Sequence, residues 1–111
     1  MSNLSQFTGG LLKFNKNQKV TVSSTAVQSA AFDSDTVAII VTGLSSSAGV
    51  AYIEIGSNPT ATTDSFAFLT FSDSTSNQNC VPIGPIGVEA GHKISCLKSN
   101  STTFHIMELK Y

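Results

Sequence analysis

The sequence has no tryptophan and no arginine, only two cysteines and three prolines among 111 residues, and just 12% charged side chains. Each shortage excludes something. All six cations are lysines and the formal net charge is −1. Nucleic-acid readers need clustered Lys and Arg for phosphates, and Arg above all for base edges, so no nucleic-acid partner is expected. No apolar run approaches the roughly 18 residues of a membrane-spanning helix. The opening MSNLSQFTGG has no basic segment leading into an apolar one, so a soluble chain without an export signal is expected. Cys80 and Cys96 are sixteen residues apart, with no CxxC and no histidine beside either, which removes a zinc site. Two buried thiols are expected. A disulfide is the alternative, disfavoured in a reducing cytoplasm.

What the chain does have is hydroxyl groups: 17 serines and 12 threonines. That level suits β-structure with solvated faces and turns. No stretch of ten residues keeps a 3.6-residue period, whereas seven short runs read as strands: 19–24, 36–43, 49–56, 65–71, 80–88, 92–98 and 102–111. The connections LSSSAG, SNPTATTD, SDSTSNQN, EAG and SNS are too short for crossover helices. The expected fold class is therefore all-β, an antiparallel β-sandwich with jelly-roll or related Greek-key topology. One domain is expected over residues 20–111, preceded by an N-terminal arm, residues 1–19.

Within 49–56 the alternation assigns Ala51, Ile53 and Ile55 to the core and Val50, Tyr52 and Glu54 to the outside. VAIIV, residues 37–41, and the group Phe66, Phe68, Leu69 and Phe71 do not alternate cleanly. One sandwich has one core, so the surplus apolar face needs a partner, most simply a second copy of the chain. Phe66, Phe68 and Phe71 are the candidate oligomer-interface residues. In the arm, Leu4, Phe7, Leu11, Leu12 and Phe14 are interleaved with Lys13, Lys16 and Lys19. They read either as a frayed, charged terminus or as an apolar segment that docks on a neighbouring subunit or a larger partner.

Chemistry is sparse. The acids Asp33, Asp35, Glu54, Asp64, Asp73, Glu89 and Glu108 are scattered, and only Asp33 and Asp35 form a close pair, too few ligands for a firm calcium site. His92 belongs to a turn, and His105 sits among apolar strand neighbours. Neither falls into a Ser-His-Asp or Cys-His spacing, so no catalytic residues, metal or cofactor are expected, and the protein is expected not to be an enzyme. Loops rich in Asn, Asp and Ser can hydrogen-bond sugar hydroxyls. With Tyr52 and Tyr111 as the sole tyrosines, however, platforms for sugar stacking are scarce.

The order of segments IEIGSNPTATT, VPIGPIGVEAGHKISCL and FHIMEL resembles a group of small virion proteins from tailed bacteriophages, marine and cyanobacterial ones included. In that group a strand runs into a GSNPTAT loop, here Gly56 to Thr62. A Pro- and Gly-containing segment follows, Pro82 to Gly87, then a glycine turn into a strand, Gly91 to Ile94, and a hairpin ending at Glu108 and Leu109. MSNLSQFTGG is also similar to the start of phage structural proteins. The segment LLKFNKNQK and the doubled PIGPIG depart from the group's pattern. The resemblance implies a capsid decoration or cement protein with a jelly-roll fold. Such a protein is made in the bacterial cytoplasm, sits on the virion capsid surface as a homotrimer and bridges major capsid subunits. The alternative in the same virion is a tail-fibre, baseplate or adhesin module that binds host-surface glycans.

Overall fold

The computed structural model describes residues 11–45, 49–72 and 82–111. Eight strands follow one another: β1 (Lys13–Val22), β2 (Val27–Gln28), β3 (Ala38–Ser45), β4 (Gly49–Gly56), β5 (Phe66–Ser72), β6 (Ile83–Gly87), β7 (Lys93–Lys98) and β8 (Thr102–Lys110). There is no helix among the described residues. Antiparallel pairing links β1 with β8, β2 with β7, β3 with β6 and β4 with β5. Two further antiparallel pairings, β3 with β8 and β4 with β7, assemble two four-stranded sheets, ordered β1-β8-β3-β6 and β5-β4-β7-β2. The nested order of first with last, second with seventh, third with sixth and fourth with fifth is that of a jelly roll, and the chain is a β-sandwich. The first sheet is called sheet I below and the second sheet II.

Between the sheets lie Val20, Val22, Ile39, Val41, Ala51, Ile53, Ile94, Cys96, Phe104 and Ile106, together with Phe32 from the β2–β3 connection. They come from alternate positions of their strands, as period-2 burial requires. The expected core face of β4 holds: Ala51 and Ile53 are buried, and Ile55 packs partly buried against the same cluster. Gly84 has φ +127°, and a Cβ there would come within 2.6 Å of the Ile39 carbonyl oxygen. Only glycine lets β6 lie this close to β3.

Three sequence expectations are corrected. The boundary between arm and domain falls inside β1, because Lys13–Lys19 pair with β8 from Lys110 down to His105. The segment KFNKNQK lacks alternating apolar residues because β1 is an edge strand, solvated on most positions and bulged between Phe14 and Lys16. The short strand β2 escapes the hydrophobic pattern because it is two residues long. Phe68 turns inward, packing against the core and meeting the Phe104 ring edge-on at a centroid distance of 6.1 Å, and its neighbour Leu69 takes the outer face. Leu4, Phe7, Asp73 and Cys80 lie outside the described residues, as does the side chain of Phe71.

Candidate functional site

The two lateral sides of the sandwich are finished differently. On the β1 and β2 side a polar network around Glu108 ties β1 and β8 to the β2–β3 connection. Glu108 is fully buried on the inner face of β8, in phase with Phe104 and Ile106. Its Oε1 accepts from the Thr36 hydroxyl at 2.6 Å and from the Asp33 amide at 2.9 Å, and its Oε2 accepts from Gln18 Nε2 at 3.0 Å. Asn15 Nδ2 donates in turn to Thr36 Oγ1 at 3.0 Å and to Asp33 Oδ2 at 3.2 Å. The Gln18 amide also clasps Ala30, donating to its carbonyl at 3.3 Å and accepting from its N–H at 3.0 Å. Every partner of the two Glu108 carboxyl oxygens is a donor, so both acceptor atoms are satisfied although the side chain is buried.

The Asp33 carboxyl is held below its ordinary value of 3.8, first by the hydrogen bond from Asn15 and then by the Asp35 amide. The close pair Asp33 and Asp35 thus forms a hydrogen-bonded turn, its donor a backbone amide at 3.3 Å. Among the described residues no group of three or more His, Cys, Asp or Glu side chains is close enough to hold a metal ion. His105 is half-buried on the outer face of sheet I, opposite Lys19 and Thr42 in register. His92 is half-buried in the turn that its amide closes onto the Glu89 carbonyl. The Cys96 thiol is buried and free, and burial pushes its pKa up to about 12. It is inert at neutral pH. Lys98, in phase with Cys96, is also buried; its ammonium donates to Asn100 Oδ1, and burial lowers its pKa.

On the β5 and β6 side, among the described residues, strand pairing joins the sheets at one corner, where Leu44 and Ser45 of β3 pair in parallel with Phe71 and Ser72 of β5. Beyond that corner they part into a cleft of about 380 Å³ lined by Ile53, Ile55, Phe66, Ile83 and Ile86, with Glu54 at its rim. Ile55 and Ile86 continue it into a second depression of about 510 Å³ that ends at Glu89 and His92. Phe66 is 58% exposed at the mouth, and its ring stacks on Phe68 at 6.5 Å.

The outer face of sheet II is the second candidate surface. The β4–β5 register sets Val50 beside Leu69 and Tyr52 beside Ala67, and β7 adds Leu97 next to Tyr52. Leu69 is 64% exposed and Val50 42%. Glu54 follows in phase at the far end of the strand, where Ser65 Oγ donates to it at 2.8 Å. The SNPTATT loop covers the remainder of the face: Pro59 and Ala61 are buried, Gln28 donates to Asn58 and to the Pro59 carbonyl, and the Ala61 amide donates to Ser95 Oγ. The outer face of sheet I bears Ile40 and Met107, with Phe14 at its edge.

Of the expected interface aromatics, Phe66 and Phe68 are stacked neighbours with different surroundings, and the side chain of Phe71 lies outside the described residues. Phe66 belongs to the cleft and Phe68 to the core. Leu11 and Phe14 of the expected arm are exposed, Leu12 half-exposed. Sequence reasoning missed Glu108 and Lys98 as buried residues, although strict alternation along FHIMEL and ISCLK puts each in phase with core neighbours.

No family model, curated protein or solved structure matches the chain.

Proposed function

We propose that the protein is a structural component of a tailed-phage virion, a capsid decoration or cement protein that associates with itself and bridges major capsid subunits. The observation that carries this reading is the outer face of sheet II. Val50, Tyr52, Ala67, Leu69 and Leu97 form an apolar surface on a small domain, with Glu54 at the far end of the face and Lys98 at the edge of the Tyr52 depression. The fully buried centre of a permanent interface has this composition, depleted of charge and anchored by an aromatic residue. The segment resemblance supplies the identity of the partner, a capsid shell. Burying such a face across a joint between subunits raises the free energy of separating them, and no reaction is needed.

The test is cosedimentation of the purified protein with expanded, undecorated phage capsids, comparing wild type with Leu69→Asp. Wild type is expected to pellet with the shells and the variant to stay in solution with its fold intact. Indifference of the wild-type protein to capsids would overturn the reading. A tail-borne glycan binder is the second reading, favoured by the depression of about 390 Å³ in which Tyr52 stands among Ser24, Thr63 and Ser99. Immunogold labelling of intact virions separates shell from tail.

A further inference from the structure

The lateral sides of the sandwich differ in charge as well as in closure. On β1 and the two residues before it, Leu11 and Phe14 are 61% and 57% exposed, and Lys13, Lys16 and Lys19 are all exposed. No acid occurs between residues 11 and 22. The opposite side presents the apolar cleft, with Glu54 at one end and Glu89 at the other. Asp64 is exposed beside Ser65, which bonds Glu54, and Lys93 is the cation nearest in sequence to His92. One side thus offers large apolar side chains spaced by lysines, and the other an apolar trench between carboxylates.

These surfaces cannot meet within one copy. In sheet I, β1 is the first strand and β6 the fourth, so at the usual strand spacing they are about 14 Å apart. They also face opposite directions. We propose that Leu11–Lys16 of one copy docks in the Ile53, Ile55, Phe66, Ile83 and Ile86 cleft of a second copy, with Lys13 and Lys16 against Glu54 and Glu89. The inference rests on the self-associating part of the function proposed above and names the contact that produces it.

The cleft size matches this occupant. About 380 Å³ is at the small end of ligand-sized pockets, room for one or two large side chains rather than for another sheet. The edges of the sandwich point the same way. β2 is short and β6 contains Pro85, so neither is a ready template for a strand from another molecule. The lysines and the bulge of β1 likewise block plain edge-to-edge pairing. What β1 retains is its side chains, and these fit a side-chain pocket. The contact is head to tail, because the donor and acceptor surfaces are different. Repetition therefore generates a ring if the rotation closes and a filament if it does not.

The test uses two full-length variants at exposed positions, Phe14→Asp, which spoils the donor, and Phe66→Asp, which spoils the cleft. Sedimentation velocity on wild type is expected to show an oligomer. Each variant alone is expected to be monomeric, with association weakened at least tenfold and an unchanged circular dichroism spectrum. Mixed in equal amounts, they are expected to form a one-to-one dimer and stop there, since one good donor and one good cleft remain. Should either variant lose its fold, the charge variants Lys13→Glu with Lys16→Glu, and Glu89→Lys, take their places with the same expected pattern. A mixture that stays monomeric, variants that assemble like wild type, or a monomeric wild type would each overturn the proposal. Capsid cosedimentation keeps the two ideas apart. A monomeric wild type that still binds shells sinks this contact and leaves decoration standing. Complementing variants whose wild type ignores shells do the reverse.

Discussion

One lateral side of this sandwich is sealed and the other is open, and the two are made from different materials. The sealed side spends polar groups: Asn15, Gln18, Thr36 and Glu108 pair with one another and with backbone, and bind β1 and the residue 29–36 segment to β8. The open side spends apolar ones: Ile53, Ile55, Phe66, Ile83 and Ile86 line a gap that none of the described residues fills. A buried carboxylate is costly unless each lone pair finds a donor, so the sealed side is geometrically exacting and specifies one arrangement. Apolar lining tolerates rearrangement and rewards any occupant that excludes water. Rigidity and availability are thus separated to opposite sides of one small domain.

The largest effect that would break this comparison is on the sealed side. Glu108→Gln keeps the shape but turns one acceptor oxygen into a donor that faces donors. It should cost about 3 kcal/mol, read as a lower urea midpoint. A loss under about 1 kcal/mol would mean the network is ornamental. On the open side, Gly84→Ala forces a Cβ against the Ile39 carbonyl in a backbone region that side chains avoid. It should cost about 2 kcal/mol and loosen the β3–β6 pairing first, visible as faster amide exchange at Ile39 and Ile86.

On the sealed side acid should act through Asp33. Asp33 has a folded pKa below its ordinary 3.8, so its contribution is complete above that value and is lost as pH falls through the lowered one. An Asp33→Asn variant should flatten the acid limb of a stability curve; an unchanged limb would move the acid sensitivity elsewhere. The smallest expected effect is that of Phe66→Asp, whose ring already stands in solvent. Its unfolding free energy should change by no more than about 0.5 kcal/mol while its self-association changes. A collapse in stability would show that the cleft is core.

The sequence announces most of the interior. Period-2 alternation in GVAYIEIG assigns the inward side of β4 correctly, and Ser, Thr, Gly and Asn mark most strand ends. It misleads where burial is not periodic. SFAFLTF has apolar residues at every face, so nothing local says that Phe68 turns in and Leu69 out; that is decided by the register with Ala51 and Val50 across β4. KFNKNQK hides a strand because an edge strand with a bulge has little apolar contact to record. Glu108 and Lys98 read as surface charges by residue type and as interior by phase, and phase wins because donors and acceptors 70 to 90 residues away, or close by at Asn100, meet them. The cleft was not legible at all. It depends on which strands become neighbours, and no short stretch of sequence encodes that.

The nested pairing of the strands also sets a timetable. The β4–β5 pair closes over a short connection, whereas Gln18 reaches Glu108 across 90 residues. Loop-closure entropy makes such distant pairings late and slow. As the chain leaves the ribosome, β1 must wait, lysine-studded and unpaired, until β8 has been synthesised. The charges on β1 therefore serve the nascent protein as well, keeping its first strand soluble and out of wrong sheets while its true neighbour does not yet exist.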